Sequence, residues 1–347
     1  MKNLKNYNKY IFISTFTRNI IDIYSVIYLY QQKISIEKII YIYALVYFFG
    51  SFVSAMSLKI GNRIGYKYIL IISSIFTGLS FYILRNNKNP YIIALSLSLS
   101  MFTYHPIKHY YGINLLPKQK EITHVLILTY LATLVSSFLA IKKINLLYLI
   151  IISIIGAIPA IFLKTDKSRK IIYPKHISKE KILFFIFDQF KIIFLLLEPL
   201  YLYLLSTKIT YVGIFNIILN IASIIYLYII SKKINLTKNY KYLNLIFSLV
   251  LFLKLSTQNK NFLLVLAFFE GMGIKTNELV STMNLYNNHK LSTGYLIISE
   301  TIFCIVRATI LIVFYLFKVN LLTSLYILLV GIIILSFTYH PQNKEKI

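Results

Sequence analysis

The sequence predicts an all-α membrane protein with twelve transmembrane helices arranged in two six-helix bundles. Apolar stretches occupy nearly all of the 347 residues, and the chain is 58% hydrophobic and 14% charged. Its mean hydropathy of +0.70 lies far from that of a soluble domain. The stretches are long and do not alternate polar with apolar residues, so the pattern favours helices and excludes a β-barrel.

The apolar stretches come in two sets of six, and most of them approach the roughly 20 helical residues that cross a hydrocarbon core. The first set covers 10–30, 36–58, 68–84, 90–112, 122–141 and 145–164. The second set covers 183–206, 210–230, 242–256, 261–286, 293–317 and 320–340. Between them, residues 165–182 (TDKSRKIIYPKHISKEKI) form one long polar segment, in which Pro174 discourages a continuous helix. We therefore predict an N-terminal bundle over 1–164, a linker over 165–182 and a C-terminal bundle over 183–347.

The distribution of Lys and Arg predicts that both termini are cytoplasmic. With the N-terminus inside, inside segments carry 24 of the 37 Lys and Arg, whereas outside segments carry 10, Lys254 among them. The basic residues are dispersed over short loops, which indicates contact with anionic membrane lipids and not with nucleic acid. The heavy use of Lys, Ile, Asn and Tyr is typical of an AT-rich genome, so we expect the plasma membrane of such a bacterium.

A weak internal repeat suggests that the two bundles are pseudo-symmetric. At an offset of 173 residues, Tyr28-Leu29-Tyr30 falls on Tyr201-Leu202-Tyr203, and Arg18 falls on Lys191. Asp22 follows Arg18 by four residues and Asp188 precedes Lys191 by three, so each cation has an acid on the same helical face.

Two six-helix halves joined by a basic linker resemble the major facilitator superfamily. The family pattern after its second helix is roughly G-x-x-x-D-R-x-G-R-R, and residues 58–67 here read LKIGNRIGYK. Arg63, Gly65 and Lys67 match, whereas Asn62 replaces the Asp and Tyr66 replaces one Arg. The resemblance implies alternating access around a central cavity, with the loop of Asn62, Arg63, Gly65 and Lys67 closing the cytoplasmic side.

Ionisable residues within the apolar spans are the best pointers to such a cavity, because a charge at the bilayer centre costs at least about 2.5 kcal/mol. Our candidates for substrate or proton binding are Arg18, Asp22, Asp188, Lys191, Glu270, Glu300 and Arg307. Glu198 is also charged but precedes Pro199, where a kink is expected. The alternative is plain charge neutralisation, which would pair Arg18 with Asp22, Lys191 with Asp188, and Glu300 with Arg307. Asp22 and Glu300 are the first choices for a coupling proton.

The first span carries a polar stripe formed by Thr15, Arg18, Asp22 and Ser25 at helical spacing. Such a stripe has to face protein or water. Because it contains both charge signs, it favours a zwitterionic or amphiphilic solute. Alternatively, Arg18 and Lys191 form a two-sided clamp for an anion, as similarly placed cations do in organophosphate antiporters of this superfamily.

The sequence shows no catalytic or nucleotide-binding motif, so we predict neither an enzyme nor a cofactor. His105 and His109 have a metal-pair spacing, but no third ligand lies nearby and Pro106 is expected to break the helix, so no metal is predicted. The chain is interpreted as a monomeric secondary transporter that couples a small-molecule substrate to a proton or another ion. An organic-anion or organophosphate antiporter, an exporter of lipid-like amphiphiles and a membrane-embedded transferase remain open.

Overall fold

The computed structural model describes residues 2–116, 119–141, 146–164, 171–174, 177–229, 236–286 and 292–338, and these residues form helices joined by short turns and loops. The helices are α1 Lys2–Gln31, α2 Ile36–Ile64, α3 Tyr66–Asn86, α4 Pro90–Leu115, α5 Gln119–Ile141, α6 Leu146–Ile155, α7 Ile158–Ile161, α8 Lys179–Ser206, α9 Ile209–Ile229, α10 Leu236–Ser256, α11 Lys260–Tyr286, α12 Ser292–Leu316 and α13 Leu321–Thr338.

Local signals explain where several of these helices begin. The Ser35 hydroxyl accepts a hydrogen bond from the backbone N–H of Lys38, and Ser178 does the same for Lys181, both at 3.4 Å. Asn89 caps α4 in front of Pro90, which suits the first helical turn. A single residue, Gly65, separates α2 from α3, and its φ of 111° lies where a side chain would be strained.

The sixth predicted span is not one continuous helix. It is divided into α6 and α7 by a turn at Gly156 and Ala157. Pro159 lacks the N–H that would continue the helical ladder, which accounts for the interruption. By contrast, the break expected at Pro106 is wrong, because α4 runs through it to Leu115. Proline is tolerated in membrane helices where neighbouring groups satisfy the freed carbonyl.

Hydrogen bonds define two ends of the helix bundle. The connector end is the end at which α1, α3, α8 and α12 begin. There the Tyr7 hydroxyl donates to the Lys108 carbonyl at 3.0 Å, and Tyr66 shares a 2.9 Å hydrogen bond with Thr293. At the opposite end, the Gln31 amide donates to the Tyr203 hydroxyl at 3.2 Å.

Helices from the two sequence halves pack against each other along two seams. The first seam joins α2 to α12, and the second joins α5 to α9, while α1 also packs on α8. Two buried apolar clusters, one towards each end, contain side chains from both halves. The halves therefore meet around a central space.

The outer surface fits a multi-pass integral membrane protein. Among the described residues, six helices are apolar and long enough to cross a membrane, and they lie in α2, α3, α5, α9, α12 and α13. Large apolar side chains point outward, for example Phe52 and Met56, each 58% exposed. Helices α8 and α11 are equally long, but each carries three or more ionisable residues within its apolar span.

Candidate substrate cavity

A cavity of about 460 Å³ lies between the two sequence halves. This volume falls within the range of small-molecule sites. Its walls come from α1, α2, α4 and α5 on one side and from α8, α9, α11 and α12 on the other. The ionisable residues that line it are Arg18, His105, Lys108, His109, Asp188, Lys191, Glu198, Glu278, Glu300 and Arg307. Five of the seven candidate residues from the sequence are therefore brought together here.

Arg18 ties α1 to two neighbouring helices. It is 4% exposed, and its guanidinium donates to the carbonyl and hydroxyl of Ser73 on α3, at 3.0 and 2.6 Å. It also donates to the carbonyl of Ser100 on α4 and to its hydroxyl at 3.2 Å. The guanidinium lies 4.2 Å from the centre of the Tyr104 ring, a cation–π contact. Its charge is thus held by hydroxyls, carbonyls and an aromatic face.

Lys191 and Asp188 form an ion pair within α8. The ammonium lies 2.5 Å from the carboxylate, which also accepts a 3.1 Å hydrogen bond from Ser281 on α11. The lysine that the 173-residue offset aligns with Arg18 therefore lines the same cavity, and its charge is paired with Asp188. Both cations of the predicted clamp thus lie on the wall of this cavity.

Glu300 and Arg307 have separate partners, although seven-residue spacing suggested that they pair with each other. The Glu300 carboxylate lies 3.7 Å from His109 Nε2 on α4. Arg307 donates from Nε to the Gln189 side-chain oxygen on α8 at 2.8 Å. Both residues therefore contact helices other than α12. The partner of Glu300 lies in the N-terminal half of the sequence, and the partner of Arg307 lies in the C-terminal half. Spacing along one helix could not reveal either partner.

Glu278 is a cavity residue that the sequence reasoning missed. It lies in α11 and accepts a hydrogen bond from the hydroxyl of Tyr130 on α5, which joins the two halves. Its position inside an apolar span was the signal that could have identified it.

A buried three-charge cluster lies beside the cavity and towards the opposite end. Lys254 contacts both carboxylate oxygens of Glu270 at 2.8 Å and forms a second ion pair with Glu198. The charge count assigned Lys254 to an outer segment, but its side chain is fully buried in α10. Glu198 lines the cavity, whereas Glu270 lies behind it and is also fully buried.

Residues of the predicted gating loop lie at the connector end. Asn62 and Arg63 belong to the last turn of α2, so this segment is mainly helix. Lys67 reaches the Ile161 carbonyl at 3.5 Å. The contact with the opposite half comes from Tyr66, which bonds Thr293 of α12 and also meets the Asn62 side-chain oxygen at 3.4 Å. A residue that departs from the family pattern thus bridges the halves.

The polar stripe of the first span is divided between the cavity and helix contacts. Thr15, Arg18 and Asn19 line the cavity, whereas Ser25 bonds the Tyr43 hydroxyl of α2. Asp22 lies in α1, but its side chain is outside the described residues. Within the part of the chain that is described, no group of three His, Cys, Asp or Glu side chains is arranged to hold a metal ion.

Solved structures of transporters share this architecture. A bacterial homologue of the iron transporter ferroportin, in an outward-facing state, aligns over 98% of both chains with a TM-score of 0.68 and 11% identity. The human organic anion transporter MFSD10 (TETRAN) aligns over 98% of this chain and 99% of its own, at 0.66 and 8% identity. The nucleoside transporter NupG, solved as a variant, aligns over 97% and 99%, at 0.66 and 12% identity.

The chain has the major facilitator superfamily fold. The structures it resembles are transporters and not enzymes. No protein-family model matches the sequence, and the search of curated proteins gives no match. With identities of 8 to 12%, the likeness is one of fold.

Proposed function

We propose that this chain is a secondary active transporter, which moves a small solute across a membrane by alternating access of the central cavity. The observation that carries the proposal is the cavity itself. It lies between the two sequence halves of a transporter fold, and both halves contribute charged side chains to it. Movement of one half against the other would expose the same residues to either side of the membrane in turn.

The proposal includes twelve membrane spans, in bundles over 1–164 and 183–347, with 165–182 as a cytoplasmic linker. The basic residues on the connector side support cytoplasmic termini in a bacterial plasma membrane. The cross-half contacts support the division into halves, since they concentrate on two seams and on the cavity wall. The transporter functions as a monomer in this proposal, because the cavity is built from a single chain.

A small zwitterion suits the charge pattern of the cavity better than a simple anion does. Arg18 and Lys191 are already held by partners on the protein. Glu300 and Arg307 carry opposite charges two helical turns apart, about 10 Å along the α12 axis. The Glu300 Oε1 atom is buried and accepts no hydrogen bond from the described residues. A cationic group of the substrate would supply that missing donor.

Proton coupling is assigned to Glu300 with His109, and Asp22 remains the second candidate. A proton at the Glu300–His109 contact resides on either the carboxyl or the imidazole, and its arrival changes the charge between α4 and α12. Lys108 on α4 and Arg307 on α12 are the cations that act on this pair. Since α4 and α12 belong to different halves, protonation would weaken or strengthen a contact between the moving parts.

The test begins with purified protein and a panel of small zwitterionic and anionic solutes, screened by the rise in melting temperature that binding causes. A hit is then followed as uptake into proteoliposomes under an imposed pH gradient. We expect Glu300→Gln to abolish gradient-driven accumulation but to retain exchange of labelled for unlabelled solute, whereas Glu37→Gln, at an exposed site, behaves as wild type.

Two results would contradict the assignment. If Glu300→Gln and Asp22→Asn both leave accumulation intact, neither residue carries the coupling proton. If Arg18→Ala leaves the apparent affinity unchanged, the substrate does not depend on the α1 wall of the cavity.

A further inference from the structure

The cluster of Glu198, Glu270 and Lys254 contains one more acid than base. The groups come from α8, α11 and α10, and their side chains are 7%, 0% and 0% exposed. Three hydrogen bonds from the ammonium reach the two carboxyl groups, so its donors are fully used. The rings of Phe194 and Phe215 cover the ammonium at 5.0 and 5.6 Å.

With both carboxyl groups ionised, the cluster would hold one uncompensated negative charge away from water. Such a charge costs several kcal/mol in a protein interior. Among the described residues, Lys254 is the only cation within ion-pair distance of these carboxyl groups. No second positive charge from these residues therefore compensates the excess.

Both carboxyl groups contact the same Lys254 nitrogen and therefore lie side by side around it. An ionised carboxylate is an acceptor only, so two carboxylates cannot bond to each other. A hydrogen bond between them requires that one carries a proton. Facing carboxyl groups that share a proton are an established arrangement. Two carboxyl groups gathered around one ammonium therefore suit the same occupant as the charge count, a single proton.

A proton fits this site better than a metal cation does. The position between the carboxyl groups is already taken by the Lys254 ammonium, which would repel a second cation placed there. A proton on a carboxyl oxygen occupies almost no extra volume. It also neutralises the excess charge without disturbing the ion pairs.

We propose that Glu198, Glu270 and Lys254 form a proton-binding site that holds one proton, shared by the two carboxyl groups. The proton exchanges with water in the cavity through Glu198, the member of the cluster that lines the cavity wall. Uptake forms an O–H bond on a carboxylate oxygen, and release returns the proton to water. This site is separate from the Glu300–His109 contact and does not depend on the identity of a transported solute.

Infrared difference spectroscopy at neutral pH tests the proposal, because the C=O stretch of a carboxylic acid is distinct from the bands of a carboxylate. In wild type minus Glu198→Gln, we expect the loss of one carboxylic-acid band and of no carboxylate band. Glu270→Gln should give the same result, since each variant leaves one ionised Glu paired with Lys254. The control Glu37→Gln should lose one carboxylate band.

Loss of a carboxylate band in either cluster variant would overturn the proposal, because both acids would then be ionised in the native protein. Lys254→Met provides a further readout, since two acids without a cation should show a second carboxylic-acid band. Spectra of the wild type with and without Na⁺ distinguish the occupants. An unchanged acid band supports a proton, and its disappearance on addition of Na⁺ would overturn the proposal in favour of a metal cation.

Discussion

Several of the buried charges in this protein are held by residues of other helices. Arg18 joins α1 to α3 and α4, and Lys254 joins α10 to α8 and α11. Removing one partner of such a group leaves a polar atom without compensation in a medium that cannot supply one. These charges therefore stabilise the helix packing around the cavity as well as giving it polarity.

Replacing the hydroxyl that faces Arg18 should cost stability. Ser73→Ala removes a 2.6 Å hydrogen bond to the guanidinium, and hydrogen bonds to charged groups contribute about 1.5–3 kcal/mol. Ser80→Ala is the matched control, because Ser80 is buried in the same helix and its hydroxyl donates to the Thr77 carbonyl of that helix. Cys304 is fully buried and is the single cysteine. Its reaction with a thiol dye on heating reports unfolding, and equal melting temperatures for the two variants would contradict the account.

Ionisable residues inside apolar spans could be identified from the sequence, but their partners could not. Arg18, Asp188, Lys191, Glu300 and Arg307 line the cavity, as the cost of burying charge in lipid suggested. Spacing along one helix identified Asp188 as a partner of Lys191. It could not show that Glu300 meets a histidine of α4, because that contact depends on the packing of distant segments.

At the scale of helices, glycine permits two backbones to approach closely. A side chain at Gly271 would lie 2.2 Å from the Leu219 carbonyl oxygen of α9, and one at Gly273 would lie 2.4 Å from the Phe247 ring of α10. Both glycines of this Gly-Met-Gly segment therefore lie at close helix contacts. Gly50 plays the same part against Phe102 of α4.

Adding a methyl group at Gly271 should therefore disturb the packing of α11 on α9. Gly271→Ala forces the backbones apart, and overpacking of this kind costs about 1–3 kcal/mol. Gly78→Ala in α3 is the control, because its nearest contact is 3.4 Å away. The control should be neutral or gain up to about 1 kcal/mol from helix propensity. The Cys304 melting assay compares them, and a Gly271→Ala variant as stable as the control would contradict this packing.

The helices themselves follow from the hydropathy pattern, whereas their ends follow from single residues. Eleven of the twelve predicted spans fall on one helix each and the sixth falls on α6 and α7, with ends shifted by up to eight residues at the start of α1. The sixth span is divided at Gly156 and Pro159. A mean hydropathy over the span does not reveal such a break, because it does not depend on the backbone preferences of single residues. The extension of α2 to Ile64 likewise reflects the Gly65 stop and not a change in hydropathy.

At the scale of the whole molecule, a shared fold coexists with almost no shared sequence. Alignments over at least 97% of this chain carry only 8 to 12% identity. A pattern of apolar spans and short loops tolerates many residue choices, because lipid requires only that backbone groups are satisfied and charges are enclosed. Function depends on particular sites and not on the fold, so the fold by itself does not reveal a substrate.

The proposed topology places Asn87 and Lys170 on opposite sides of the membrane. Asn87 follows α3 at the end of the bundle opposite to the connector end. Lys170 belongs to the linker over 165–182 and is outside the described residues. In a Cys304→Ser background, Asn87→Cys and Lys170→Cys should react with an impermeant maleimide from different faces of oriented vesicles. Reaction of both from the same face would refute the arrangement of spans.

In the proposed mechanism, the cavity opens to the two sides of the membrane alternately. Thr133→Cys in the same Cys304→Ser background places a thiol on the cavity wall, and Thr309→Cys on the exposed face of α12 is the control. Tyr66→His with Thr293→His creates a Zn²⁺ bridge across the connector end, where these two residues now share a hydrogen bond.

Maleimide labelling of that Thr133→Cys protein, from each face of the membrane, distinguishes alternating access from a cavity that opens to one side. Without Zn²⁺, alternating access predicts reaction from both faces, and the control should show little reaction because its site faces lipid. With Zn²⁺, labelling from the connector side should be lost and labelling from the other side should increase, and a chelator should reverse both changes. Labelling from the other side that stays constant or falls on addition of Zn²⁺ would contradict alternating access.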